Sequence, residues 1–297
     1  MATTTINHHS LEVLSKLKAK YWPLIKSLQT GLLLVTGVAG YASCRCPILN
    51  WGELLGLVSS LFLAISGSTV LNMWHDRDID AIMSRTCWRP LPSGVISPRE
   101  ALYFGLLLSA LGVGWALAMD TLYGTIVFAG LFIDVVVYTV WLKRRTAWSI
   151  LWGGIAGAIP VLAGRALGIG YVDWIGVTLA LSVLFWIPTH ILTFSMRNYD
   201  DYQRAGIPTF PSIYGFQATR TAISISSVLA AISMALAAYG IGMMVGYLRL
   251  MGVLSAGLLL LAVASLVRPS ERVNFGLFKY ASLYMLSAML LLVIEAF

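Results

Sequence analysis

The chain has 297 residues, 58% of them apolar and only 11% charged, with a mean hydropathy of +0.81. A water-soluble domain carries about 25% charged residues, so the composition argues against a soluble enzyme, a disordered protein and a nucleic-acid binder. The formal net charge of +7 looks like a nucleic-acid signal until the basic residues are placed. They gather in the connections between apolar stretches, where they report topology instead. Three cysteines, an odd number, speak against a disulfide scaffold.

Nine apolar stretches, each near the ~20 residues that cross a bilayer as a helix, cover 22–43, 51–73, 101–119, 121–141, 148–168, 174–194, 220–242, 246–267 and 275–296. The expected fold class is all-α: a polytopic membrane protein of nine transmembrane helices in one integral domain, 1–297, with residues 1–20 as a cytoplasmic tail. Met1 to Tyr21 is polar, without the apolar core of a signal peptide or the Arg-rich, acid-poor character of a transit peptide, which favours a cell membrane over a mitochondrial one. Seventeen Lys and Arg fall on one side of the nine spans and only Arg45, Arg165 and Arg249 on the other. The positive-inside rule therefore puts the N-terminus in the cytoplasm and the C-terminus outside. Asp76, Asp78, Asp80, Glu100, Asp200, Asp201 and Glu271 share the basic side, so the chemistry is expected at the cytoplasmic face.

The second span runs on into Leu71-Asn-Met-Trp-His-Asp-Arg-Asp-Ile-Asp. Asn72, Asp76 and Asp80 are spaced i, i+4, i+8 and form a narrow helical stripe with about 6 Å between neighbours. Stacked carboxylates repel, so the stripe makes sense where a cation holds it together. Oxygen ligands suit Mg²⁺, which takes one or two carboxylates plus the oxygens of a substrate phosphate. The same residues also fit a solvated acidic helix end paired with Arg77 and Arg85. Asp78 lies about 200° around the helix from Asp76 and falls outside the site. Arg85 and Arg89 follow on a turn constrained by Pro90 and Pro92, beside the carboxylates. Ser97-Pro-Arg-Glu100 reads as a capping box that opens the third span.

Tyr138-Thr-Val-Trp-Leu-Lys-Arg-Arg-Thr closes the fourth span with three consecutive cations. Alone it is a membrane-edge anchor; beside acidic clusters it becomes a diphosphate clamp, with Lys143 the preferred donor. The sixth span ends in Trp186-Ile-Pro-Thr-His190 and leads to Arg197-Asn-Tyr-Asp-Asp-Tyr-Gln-Arg204. Asp200 and Asp201 cannot share one helical face; they are candidates for a second metal ion, with Asn198 assisting and Arg204 beside them, or they are ordinary loop acids. An acidic cluster after span 2 and another after span 6, each leading to a Pro-x-x-Pro-like turn, form a faint internal echo of two four-helix halves plus a ninth helix. Carboxylates, Mg²⁺ and cations at a membrane mouth suit a diphosphate with an apolar tail, whose departure leaves an allylic cation in a cavity that excludes water. That reaction is prenyl transfer.

The run from Asn72 to Thr86, continued by Arg89-Pro-Leu-Pro-Ser-Gly, resembles the first motif of the UbiA superfamily of intramembrane prenyltransferases. Its form is closest to the haem O synthase (protohaem IX farnesyltransferase) branch. Tyr138–Thr146, Gly153-Gly-Ile-Ala-Gly-Ala-Ile-Pro160, Pro188-Thr-His190 and Asp200–Pro208 are similar to segments of that branch too. The resemblance implies nine helices around a central cavity, with Mg²⁺-diphosphate held by the two acidic motifs. It makes Asp76, Asp80 and Asp201 catalytic; Asn72, Asp76, Asp80, Asp200 and Asp201 metal-binding; and Arg85, Arg89, Lys143 and Arg204 diphosphate-binding. Its expected partners are a prenyl diphosphate, membrane lipids and a hydrophobic acceptor, haem B, with His190 as a contact to iron or propionate; a hydrogen-bonded helix-end histidine is the other reading. Departures stand at Leu24-Ile-Lys-Ser-Leu-Gln, where the branch has Lys-Pro-Arg, and at Thr209-Phe-Pro-Ser, where it has Met-Leu-Pro-Val. An aromatic quinone precursor or a glycerophosphate lipid is the alternative acceptor.

Asp134, inside the fourth span, is an intramembrane acid with no partner evident in the sequence. His75 reads as solvated, and His8 and His9 belong to the tail. Cys44-Arg45-Cys46 lacks the further ligands of a metal site. A secondary transporter would place its acids near the bilayer midplane, not at one face beside cations.

Overall fold

The computed structural model describes residues 17–45 and 50–296; His8, His9, Lys16 and Cys46 lie outside the described residues. Among those residues there is helix and no strand. Eight helices are long and apolar enough to cross a membrane, and the bent pair Leu17–Ile25 and Ser27–Ala42 makes a ninth crossing when taken as one span. The elements are α1 (Ser27–Ala42), α2 (Trp51–His75), α3 (Arg77–Ile82), α4 (Pro98–Met119), α5 (Thr121–Phe132, prolonged by a π-helix Ile133–Leu142), α6 (Ser149–Ile169), α7 (Trp174–Arg197), α8 (Tyr199–Arg204), α9 (Phe210–Ile241), α10 (Val245–Val267) and α11 (Glu271–Ala296).

Short polar residues start the helices by accepting from orphan backbone N–H groups. Asn50 takes Gly52 N at 3.1 Å, Ser97 takes Glu100 N at 3.2 Å, Asp120 takes Tyr123 N at 2.7 Å and Asp173 takes Gly176 N at 2.8 Å. The expected capping box at Ser97 is half formed: Glu100 turns its carboxylate to Lys20, at 2.7 Å, and to Tyr21. Helix α9 begins ten residues before the expected 220, where Ser212 Oγ reaches back to accept from Thr209 N at 2.8 Å. A non-helical Gly215 (φ 81, ψ 167) separates that first turn from the apolar run.

In each half the helices pack in series, α1–α2–α4–α5 and α6–α7–α9–α10, while α11 fills in against α7, α10 and α1. The halves join where α1 crosses α6 with almost no side chain between them. A Cβ added at Gly40 would stand 2.0 Å from the Val161 carbonyl oxygen, and one at Gly164 would stand 2.0 Å from that of Gly37. Small residues are what let membrane helices approach so closely. An apolar groove of about 380 Å³ between α1, α2 and α4 is lined by Leu34, Phe62, Leu63 and Trp115, among others.

At the end of the bundle away from the acidic loops, buried Arg165 holds both oxygens of Asp173, at 2.8 and 2.7 Å, and the carbonyl and hydroxyl of Ser43, each at 2.8 Å. One guanidinium thus ties the α6–α7 connection to the end of α1. Cys44 donates to the carbonyls of Gly40 and Arg165, a packing role.

Candidate active site

Helix α2 ends at His75 and α3 begins at Arg77, with Asp76 at the junction (φ −88, ψ 5). The ladder survives the junction, since Asp76 N donates to Asn72 O at 2.9 Å and Asp80 N to Asp76 O at 2.8 Å. Asn72, Asp76 and Asp80 therefore keep their one-turn spacing, and both carboxylates are buried. Asp78 leaves the stripe: its carboxylate is 60% exposed and takes a bidentate pair from Arg144 at 2.6 and 2.7 Å. That guanidinium holds the Asp78 carboxyl down to about 2. His75 is not simply solvated, for its Nδ1 stands 3.3 Å from Asp76 Oδ1.

Asp76 and Asp80 each face a cation from beyond their own helix. Lys143 donates to Asp76, and Arg89 donates to Asp80 at 2.7 Å. Burial works to lower the Lys143 ammonium, but the Tyr138 phenol and the Asp76 carboxylate more than reverse it, so its pKa lies above the ordinary lysine range. Asp201 accepts from Ser84 through Oγ at 2.9 and 3.0 Å and through N at 3.3 Å, and also from Arg204. Burial would raise the Asp201 carboxyl, yet the Ser84 bonds and Arg204 hold it below the usual carboxylate range.

Ser84 is four residues beyond Asp80, so its bonds to Asp201 fasten the two acidic loops together. Ile79, Met83 and Ile207 pack as a small apolar cluster that does the same. Asp200 points elsewhere: it is exposed, with no ion pair among the described residues. Asn198 donates to the Phe194 carbonyl at 2.9 Å and closes α7 instead of joining the acids. Arg85 lies 5.1 Å over the Phe194 ring and 5.2 Å over that of Tyr202. It donates to Tyr202 Oη at 3.2 Å, and its buried Nε has no partner among the described residues.

Three features escaped the sequence. Asp134 accepts from Asn72 Nδ2 at 2.9 Å and from Ser68, while Thr139 donates to Asn72 Oδ1 at 2.7 Å. Residues five apart diverge by about 140° on an α-helix. On the π-helix, whose bonds run from i to i+5, Asp134 and Thr139 stack on one face and clamp the two ends of one amide. The second is Lys26, met above only in the topology count and in the Leu24–Gln29 departure. It sits at the break between Leu17–Ile25 and α1 with a left-handed backbone (φ 45, ψ 59), and its ammonium feels Arg89, Lys143, Asp80 and Asp76. Thr30 Oγ1 accommodates that break by donating to the Ile25 carbonyl at 2.6 Å. The third is Ser84, an unremarked polar residue between Met83 and Arg85.

A sequence model of the UbiA prenyltransferase family matches residues 33–287. The chain belongs to that family. Among the relatives of this UbiA prenyltransferase is the protoheme IX farnesyltransferase of Archaeoglobus fulgidus, 42% identical over 210 residues, which are 71% of this chain and 73% of that protein. The protoheme IX farnesyltransferase of Pyrobaculum arsenaticum is 41% identical over 239 residues, 79% of this chain and 85% of its own. In fold it resembles digeranylgeranylglyceryl phosphate synthase, with a TM-score of 0.79 at 22% identity over 95% of this chain and 99% of that one. It also resembles a UbiA homologue from A. fulgidus bound to DMAPP and Mg²⁺, with a TM-score of 0.70 at 17% identity over 93% and 99% of the two chains.

Buried Asp76, Asp80 and Asp201 are thus set beside Lys26, Arg85, Arg89, Lys143 and Arg204. With Asp134, Asp78 and Arg144 counted as well, five negative charges stand against six positive ones, a formal surplus of one, which suits an anionic ligand. His190 stands apart from the acids, two turns before the end of α7, with its ring stacked between Trp186 and Phe278.

Proposed function

We propose that this enzyme transfers the prenyl group of a prenyl diphosphate, farnesyl or longer, to a vinyl group of protohaem IX, giving haem O. The observation that carries the acceptor is the run of relatives at 35% to 44% identity that are named protoheme IX farnesyltransferase. The A. fulgidus homologue bound to DMAPP and Mg²⁺ supports the diphosphate donor and the metal.

Among the described residues no three of His, Cys, Asp and Glu converge on one point. Mg²⁺ does not require that, because it uses one or two protein carboxylates and completes its shell with phosphate oxygens and water. Asp76, Asp80 and Asp201 would supply the carboxylates, with the Asn72 amide oxygen, oriented by Asp134 and Thr139, beside them; exposed Asp200 stands apart from this set. When bound, Mg²⁺ neutralises the diphosphate as it departs. Arg85 holds no carboxylate among the described residues, only the Tyr202 hydroxyl, so it would bind phosphate oxygens without giving up an ion pair. Lys143, Arg89 and Arg204 would exchange a carboxylate for phosphate, and Lys26 would add a fifth cation.

The apolar bundle keeps water from the allylic cation. Vinyl π electrons form the new bond to prenyl C1 as its bond to the diphosphate breaks. Water then captures the cation left on the porphyrin side chain and loses a proton, giving a hydroxyethyl-prenyl group. The acidic end would face the cytoplasm, with the N-terminus inside and the C-terminus outside, in one integral domain.

The test is mass spectrometry of products from the purified enzyme with Mg²⁺, farnesyl or geranylgeranyl diphosphate, and either ferrous haem or 4-hydroxybenzoate. A prenylated hydroxyethyl haem that disappears in Asp76→Ala is expected. A prenylated benzoate with no haem product would refute the acceptor and keep the donor site.

A further inference from the structure

Two neighbouring residues of the first acidic loop grip two neighbouring residues of the second. Ser84 holds the carboxylate of Asp201. Arg85 holds the phenol of Tyr202: its Nη2 donates to Oη at 3.2 Å, and its guanidinium lies 5.2 Å over the ring. Tyr202 is half-buried, with its ring against the cluster of Ile79, Met83 and Ile207. Its backbone is tied on both sides, since Tyr202 N donates to Asn198 O at 3.2 Å and Ile207 N donates to Tyr202 O at 3.1 Å.

A guanidinium can only donate, whereas a phenol both donates and accepts. The Tyr202 oxygen is therefore the acceptor in its contact with Arg85, and its own proton is unspent. That proton meets no acceptor among the described residues. Arg85 is in the same condition. Its Nη2 uses both protons, on Tyr202 and on Met83 Sδ at 3.5 Å, while Nη1 makes no hydrogen bond among the described residues. The carboxylates of the site are already engaged, Asp76 by Lys143, Asp80 by Arg89 and Asp201 by Ser84 and Arg204. Tyr202 also faces the rest of the site, for the Lys143 ammonium feels its phenol together with Asp76. Two touching side chains thus present spare donors toward the same cations. A phosphate group, with several acceptor oxygens and no proton to give, matches that arrangement.

We propose that the Tyr202 hydroxyl donates a hydrogen bond to the diphosphate of the prenyl donor, as the neutral half of a two-donor clamp whose charged half is Arg85. The assignment rests on the prenyl diphosphate reading above and adds a residue to it. A phenol contributes a directed bond without a further positive charge. It therefore orients the diphosphate without deepening the electrostatic well that the product has to leave.

The full chain in detergent with Mg²⁺ is titrated with inorganic pyrophosphate and with farnesyl thiodiphosphate, a non-reactive analogue. Tyr202→Phe keeps the ring beneath Arg85 and the packing on Ile79, Met83 and Ile207, and removes only the hydroxyl. It should weaken both ligands about tenfold, the worth of one hydrogen bond to a charged acceptor, with a thermal midpoint close to that of the wild type. Nitration by tetranitromethane, located by peptide mass spectrometry, tests the same contact in the wild-type protein. Pyrophosphate should protect Tyr202 and leave Tyr103, which is 70% exposed on α4, as reactive as before. Affinity within about twofold of wild type in Tyr202→Phe, or equal nitration of Tyr202 with and without pyrophosphate, would overturn the proposal. If Arg85→Ala loses pyrophosphate while Tyr202→Phe does not, this assignment alone falls. Unchanged affinity in both variants would instead remove the diphosphate site from these two loops.

Discussion

Replacing Arg89 by Ala separates the two tasks assigned to the basic residues. In the ligand-free protein Arg89 donates to Asp80 at 2.7 Å, with 22% of the Arg89 side chain and 7% of the Asp80 side chain exposed. No other ion pair reaches Asp80 among the described residues. Removing one partner of a buried pair costs about 3–5 kcal/mol; because a fifth of the guanidinium is in contact with solvent, we scale this to about 2–3 kcal/mol. For a chain of this size that lowers the apparent thermal midpoint by about 3–5 °C. Mg²⁺ should then act in the opposite sense in the two proteins. In the wild type it must compete with Arg89 for Asp80, whereas in Arg89→Ala it meets an uncompensated carboxylate. The midpoint should therefore rise more steeply with Mg²⁺ in the variant, even though prenyl diphosphate turnover falls for want of a donor. The assay is a thermal unfolding series in detergent at increasing Mg²⁺, with Ca²⁺ and choline chloride as ionic controls. Equal Mg²⁺ responses in the two proteins would refute the idea that Asp80 exchanges Arg89 for a metal.

Arg165→Met removes the guanidinium from Asp173 and Ser43 at the far end of the bundle. It should cost about 3 kcal/mol in unfolding experiments, yet leave turnover per folded enzyme unchanged. Asp78 titrates near 2 because of Arg144, below its value in an unfolded chain, so its pairing stabilises the fold fully above about pH 4 and is lost as pH falls through about 2. The stability difference between wild type and Asp78→Asn should accordingly shrink on acidification, and a difference that grows would reverse the assignment; the exposure of this pair keeps the effect small. Lys26→Gly should raise stability by about 1 kcal/mol, because glycine adopts the left-handed backbone without a Cβ penalty, and should weaken prenyl diphosphate binding. Lys26→Ala should weaken binding without the gain. Thermal midpoints and a binding isotherm for a non-reactive prenyl diphosphate analogue separate these outcomes.

Most of the fold was legible because hydrophobic length is a direct physical requirement of a bilayer. The expected span 51–73 became Trp51–His75, and 174–194 became Trp174–Arg197, each prolonged into the acidic end by residues too polar to count as membrane. The stripe of Asn72, Asp76 and Asp80 was legible for a similar reason: its spacing is the helical period, and the break at Asp76 keeps the i to i−4 ladder. Asp200 and Asp201 could be separated in advance, since neighbours on a helix diverge by about 100°. Which of them turns inward could not, because that depends on Ser84 in the other loop.

What escaped the sequence lies where the backbone leaves the regular helix. Periodicity arguments assume 3.6 residues per turn, so they place Asp134 and Thr139 on different faces and leave the acid unpartnered. The π-helix restores five-residue stacking and turns both toward Asn72. Lys26 is similar: read as part of a straight helix it is one of 17 basic residues on one side, and only a left-handed residue at a 54° bend directs it toward Asp76 and Asp80. Both irregularities cost conformational energy and both orient a polar group that the diphosphate site would use, a coincidence expected when strain persists because function requires the geometry. The same logic gives a sharper expectation for Asp134. Asp134→Leu removes the carboxylate that fixes the Asn72 amide, so the amide is free to flip and present N–H₂ where its oxygen stood. Turnover should fall with the Mg²⁺ requirement shifted to higher concentration, and Asn72→Ala should add little further loss in that background. Independent, additive losses from the two substitutions would show that Asp134 acts on something other than the orientation of Asn72.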